Sequence, residues 1–175
     1  MRITAFCVIA ILAMVACTSR KEIPVAQIQA VTAIDSAMDS VAVVSPDTAV
    51  FYQRTACFGM CPIYQCVILS NGLATYEGRN FVERIGFFQT TLDATALHRI
   101  QNVANEIDYF SMKSVYDHAY VTDLPSVITQ IAKDGKVHGV MNRYDAPQSL
   151  GKLYGVLDSL IASAKWKAIA SNKNE

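Results

Sequence analysis

The 175-residue chain has no excess of charge of either sign, with 15 Lys and Arg against 15 Asp and Glu. Without a basic stripe, binding to nucleic acid or to polyanions in general has no physical basis. Catalytic signatures are missing too. There is no Gly-x-Ser-x-Gly, no phosphate-cradling Gly-rich loop, no His-Glu-x-x-His and no dinucleotide fingerprint. The three histidines, His98, His118 and His138, stand outside any motif. No cofactor is expected, and a non-catalytic role is preferred. Beyond residue 17 no apolar run is long enough to span a bilayer as a helix, and no internal repeat is evident.

What is present first is an address. Arg2 supplies a positive start, Phe6 to Val15 an apolar core, and Val15-Ala16-Cys17 a small-residue cleavage site ending in cysteine. The apolar run is short and is followed by Thr18-Ser19-Arg20-Lys21-Glu22, which marks a removable signal and not a membrane helix. Ordinary signal peptidases leave a small residue at the break, whereas lipoprotein maturation acylates the cysteine that becomes the new first residue. Residues 1–16 are therefore expected to be a lipoprotein signal peptide and Cys17 the lipidation site, with Met14 in place of the commoner leucine. Two or three acyl chains, at ~0.8 kcal/mol per buried methylene, hold a protein on a membrane surface. The expected location is the bacterial cell envelope, facing the periplasm. Thr18, where enteric lipoproteins retained in the inner membrane carry aspartate, points to the outer one.

Residues 17–48 read as the lipidated cysteine and a flexible tether. They lack aromatic residues and glycine, although Ile28, Val31, Ile34, Met38 and Val41 could line a marginal helix over 27–41. Residues 49–168 are expected to form one domain and 169–175 a disordered tail.

Within the domain, residues 50–55 and 63–70 are β-branched or aromatic runs of strand length. Asn71-Gly72 predicts a two-residue hairpin turn, and a fourth strand is expected over 81–90. Asp93 caps a predicted helix with Leu97, Ile100, Val103, Ala104 and Ile107 on one face. A loop over 111–123 follows, then a second hairpin about Lys133-Asp134-Gly135. Asp145 is expected to cap the last helix, with Pro147 in its first turn and an apolar stripe running from Leu150 to Ala164. The pattern predicts an α+β fold: a largely antiparallel sheet, built from a meander and a second hairpin, with two amphipathic helices on one face.

Arg54-Thr55-Ala56-Cys57-Phe58-Gly59-Met60-Cys61-Pro62-Ile63-Tyr64, then Tyr76-Glu77-Gly78, then Thr122-Asp123-Leu124-Pro125 and the helix leading to Trp166 carry a resemblance. Together they resemble an uncharacterised bacterial domain family known only as a domain of unknown function, over roughly 50–166. The resemblance implies an envelope-associated α+β domain and brings no activity with it.

Cys57 and Cys61 are where chemistry is sought first. Counting by twos, Cys61, Ile63, Gln65, Val67 and Leu69 share one strand face, while Tyr64, Cys66 and Ile68 share the other. Cys57 to Cys61 is then the natural disulfide in an oxidising periplasm, with Gly59 easing closure and Cys66 an inert core thiol. Two other readings stay open: a redox-active thiol pair, and a copper site. Cys-x3-Cys-Pro is similar to the copper-binding motif of the Sco family, with Met60 between the thiolates and His138 or His118 as distant ligands. Sco motifs, however, lie at a strand-to-helix junction, and Pro62 here introduces a strand pattern.

Asp123 reads as a turn former, while Pro125 fixes entry to a strand edge. Tyr116, Tyr120, Asp123, Arg143 and Tyr144 form a candidate polar-aromatic binding patch. Its expected partner is an envelope protein or a cell-wall component, besides the membrane reached through the lipid anchor. An envelope hydrolase gathering Glu77, Asp117, Asp123 and Arg143 in space is the third reading.

Overall fold

A computed structural model describes residue 45 and residues 47–169. Cys17, the signal peptide, most of the tether and all but the first residue of the expected tail lie outside them. Within the described part, the chain folds as α+β: an eight-stranded, mostly antiparallel sheet with two helices. The strands are β1 (Thr48–Arg54), β2 (Ile63–Leu69), β3 (Leu73–Asn80), β4 (Gly86–Thr91), β5 (Val115–Tyr116), β6 (Val127–Lys133), β7 (Lys136–Asn142) and β8 (Lys167–Ala168). The helices are α1 (Ala94–Glu106) and α2 (Leu150–Ser163). In space the strands run β5-β7-β6-β1-β2-β3-β4-β8, and only β5 and β7 pair in parallel.

Period-two patterning decides which face each strand buries. Along β2, Tyr64, Cys66 and Ile68 are buried while their neighbours are half-buried. Cross-strand pairing extends that face into rows: Val140, Thr129, Tyr52, Cys66, Tyr76 and Phe88 in one, His138, Ile131, Val50, Ile68, Ala74 and Thr90 in the next. The helices cover these rows with Ile100 and Ala104 of α1 and Leu150, Leu153 and Leu157 of α2. Aromatic rings bind the layer laterally. Tyr154, Tyr52, Tyr64, Tyr76 and Trp166 follow one another at centroid distances of 6.2, 5.8, 5.5 and 5.5 Å, each pair contributing about 0.5–1.5 kcal/mol beyond area burial.

Local chemistry sets the turns. Asp134 and Gly135 both take positive φ (50° and 73°), the two-residue geometry that matches strand twist. Asp93 caps α1, its Oδ1 accepting from the Ala96 N–H at 2.9 Å. Other expectations need correction. The β2–β3 connection is a three-residue loop, because the Gly72 N–H bonds back to the Leu69 carbonyl and only Gly72 is left-handed. A Cβ there would also come within 2.4 Å of the Leu92 carbonyl oxygen. Residues 81–85 are not strand. Phe81 turns left-handed (φ 52°), and the Arg84 carbonyl folds over Gly78, where a Cβ would stand 1.8 Å away. Asp145 is left-handed and does not cap α2, whose first residue follows Ser149. The expected loop over 111–123 includes the short β5, paired to Met141 and Asn142.

The strand directions give the sheet two distinct ends. The end of β1, the starts of β2, β4 and β6 and the ends of β3, β5 and β7 lie together, so the loops 55–62, 81–85, 117–126 and 143–149 share one rim. The chain enters β1 at the other end, where the Asp47 carbonyl accepts from the Ser70 N–H.

Candidate functional site

The rim loops carry seven of the eleven exposed large apolar side chains among the described residues; Leu73, Phe87, Val115 and Val137 lie on strands. Cys57 and Cys61 are joined as a disulfide, Cα to Cα 5.8 Å, which pins the β1–β2 connection. Between them Phe58 is 94% and Met60 83% exposed. Gly59 is not required for closure. It has no positive φ, and a Cβ there would meet only the Cys57 sulfur at 3.8 Å, an ordinary contact. Phe81 and Ile85, Tyr120 and Leu124, and Tyr144 are exposed on the neighbouring loops.

Beneath the disulfide lies a polar cluster that sequence reasoning missed. Arg54 and Tyr64, the two ends of the cysteine motif, are cross-strand neighbours on the helix face. Both reach Asp158 on α2. Its Oδ2 accepts from Arg54 Nη2 at 2.6 Å, and its Oδ1 from the hydroxyls of Tyr52 and Tyr64 at 2.8 and 2.6 Å. Arg54 Nε also donates to the Tyr64 oxygen at 3.1 Å, and its guanidinium lies 5.6 Å from the Tyr52 ring centroid. Burial first, then the Tyr64 phenol and Asp158 for Tyr52 and Asp158 for Tyr64, hold the two hydroxyls well above the usual phenol range. Both hydroxyls and the Nε and Nη2 of Arg54 have partners, so the cluster ties α2 to the root of the disulfide loop. The readable signals are Arg54 at an inward-facing position two after Tyr52, and Asp158 four after Tyr154 on a helix stripe otherwise apolar.

The structure brings together most of the expected binding patch. Arg143 makes a bidentate pair with Asp117, Nε to Oδ1 and Nη2 to Oδ2 both 2.6 Å. The hydrogen bonds from the Arg143 side chain first, with a smaller part from the His118 N–H, hold the Asp117 carboxyl below its ordinary value. The backbone N–H groups of Arg143 and Tyr144 both donate to the Tyr116 carbonyl. Arg143 and Tyr116 thus position the loop, and the Tyr116 ring packs against the core. The outward groups are Tyr120, 90% exposed, and Tyr144, 44% exposed, with the His118 ring 5.6 Å from each. Asp123 lies on the same loop, its Oδ1 accepting from the Thr122 hydroxyl at 3.2 Å. It does not bond Arg143.

The other candidate sets are not assembled. His138 sits in the row towards the far end of the sheet, its ring 5.5 Å from Tyr109, so it does not approach Cys57 and Cys61. Its Nε2 is buried without a hydrogen-bond partner among the described residues. No three His, Cys, Asp or Glu side chains among those residues are arranged to hold a metal ion. Of the hydrolase set only Asp117 and Arg143 meet; Glu77 pairs with Arg79 on β3, four strands from β7. Cys66 is fully buried with its thiol pushed up to about 12 by burial. The void beside it, lined by Tyr52, Leu157 and Trp166 among others, measures about 10 Å3, room for one water at most.

Residues 48–161 match the model of a family described as a domain of unknown function, DUF6438. No curated protein and no solved structure matches the chain.

Proposed function

We propose that this chain, which belongs to the DUF6438 family of domains of unknown function, is a non-catalytic binding module of the bacterial cell envelope, tethered through a lipidated Cys17. The observation that carries the binding role is the loop 117–126. It is locked to the start of the 143–149 loop by the Asp117–Arg143 pair and the Tyr116 carbonyl, and the two loops present Tyr120 and Tyr144 outward. Tyrosines on a held loop supply large contact area at low ordering cost, as recognition surfaces on rigid scaffolds do. The partner is an envelope protein or cell-wall component.

Two experiments test the halves of this reading. Tyr120→Ala with Tyr144→Ala should abolish cross-linking to a partner in intact cells while the melting temperature stays within a few degrees, as surface changes usually cost about 0.5 kcal/mol or less. An unchanged cross-link removes the patch from the reading. Cys17→Ala should release the protein from the membrane fraction and remove the lipid mass. Retention without acyl chains contradicts the anchor.

A further inference from the structure

The strongest exposed apolar feature of the described residues is the pair Phe58 and Met60 at the tip of the disulfide loop. Side chains of this size normally gain about 1.5–3 kcal/mol each by leaving water, so such exposure on a mobile loop would be relieved by collapse onto the domain. Here the loop is closed at its base by Cys57–Cys61 and clamped below by Arg54, Tyr64 and Asp158. The tip is held out in advance.

We infer that this tip is a preorganised apolar plug that inserts into an uncharged apolar recess of a protein partner, flanked by the neighbouring Phe81, Ile85 and Leu124. The inference rests on the binding-module reading and extends it to a second contact. Two observations select a protein over a lipid surface. First, the charge of the rim opposes anionic headgroups: its arginines are neutralised as Arg54–Asp158, Arg79–Glu77, Arg84–Glu83 and Arg143–Asp117. Asp123 and Asp145 form no ion pair among the described residues. Peripheral lipid binding draws instead on unpaired Lys and Arg beside the apolar residues. Second, the chain upstream joins β1 at Thr48, at the opposite end of a strand whose seven residues span roughly 20 Å. The tip and the point where the upstream chain joins therefore lie at opposite ends of one strand. A disulfide-fixed loop also loses less freedom on docking, which raises affinity without new contacts.

The test places a photo-reactive phenylalanine analogue at position 58, at 120, or at 137 on the far end, in the full chain expressed in its own host. Position 58 should yield a protein adduct and position 137 none, and Cys57→Ser with Cys61→Ser should reduce the position-58 adduct by about tenfold. The captured protein, purified and titrated with the full chain, should bind Phe58→Ser/Met60→Ser about tenfold more weakly than wild type, while that variant, its disulfide intact, keeps its melting temperature. A lipid adduct, or flotation of the chain with phosphatidylethanolamine–phosphatidylglycerol vesicles that depends on Phe58, overturns the proposal in favour of a membrane. An adduct indifferent to the cysteines, or affinity unchanged by Phe58→Ser/Met60→Ser, overturns it as well. An adduct at 120 with none at 58 removes the plug and leaves the binding module standing; none at either position removes both.

Discussion

Asp158 illustrates how one carboxylate can settle the relation between a helix and a loop distant in sequence. It accepts from Arg54, Tyr52 and Tyr64, and it is itself 41% exposed on its side chain, so its ion pair is screened and contributes less than a fully buried one. Replacing it strands three donors. Asp158→Ala is expected to cost about 1–3 kcal/mol, read as a lower urea midpoint at unchanged slope. The same cluster fixes a pH dependence. The Tyr52 and Tyr64 hydroxyls titrate above the ordinary value near 10 when folded, because burial opposes their ionised form. Their contribution is fully present below pH 10 and is lost as pH rises past it, since the unfolded chain releases the protons first. Denaturant midpoints should therefore fall between pH 9 and pH 11, and Tyr52→Phe should flatten that fall. An equal slope in the variant would show that other groups govern it.

At the scale of elements, what is short-ranged was readable and what is long-ranged was not. The alternation of Tyr64, Cys66 and Ile68, the cap at Asp93 and the Asp134-Gly135 turn are written within a few residues and fold as expected. The strand expected over 81–90 begins only at Gly86, and the segment 81–85 before it is not strand. The register of Gly78 against Gly86 and the Arg84 carbonyl laid over Gly78 make it a loop instead. Asp145 resembled a helix cap because caps and left-handed turn residues draw on the same side chains. β5 was invisible, being two residues whose partners, Met141 and Asn142, come 26 positions later. Of the candidate site, the sequence named Arg143 and Tyr116 as contact residues; their place as supports, with Tyr120 and Tyr144 outward, shows only with the Asp117 pair in view. The disulfide belongs at this scale too. Opening so short a loop removes only about 2 kcal/mol in the entropy model. Cys57→Ser/Cys61→Ser should thus remain folded, and Cys66 should stay unreactive to thiol reagents until the domain is denatured. Rapid labelling of native Cys66 would contradict its burial.

On the proposed reading, the described domain divides attachment and contact between the two ends of one sheet. The upstream chain joins at one end, beside the Ser70 turn, and the loops bearing Phe58, Met60, Tyr120 and Tyr144 crowd the other. Between them lie the rows of aromatic and aliphatic side chains under α1 and α2, where Tyr52 bonds Asp158 and Tyr109 bonds the Thr129 carbonyl. The division fits the proposed tethered binding module, with one end for attachment and the other for contact. The most direct measurement is a scan of photo-reactive residues through both ends of the sheet in intact cells: positions 58, 85, 120 and 144 on the rim against 73, 134 and 137 opposite. Protein adducts confined to the rim positions are expected. Adducts concentrated at 73, 134 and 137, or spread evenly over both ends, would contradict the claim that this domain works by presenting its loop-bearing end to a partner.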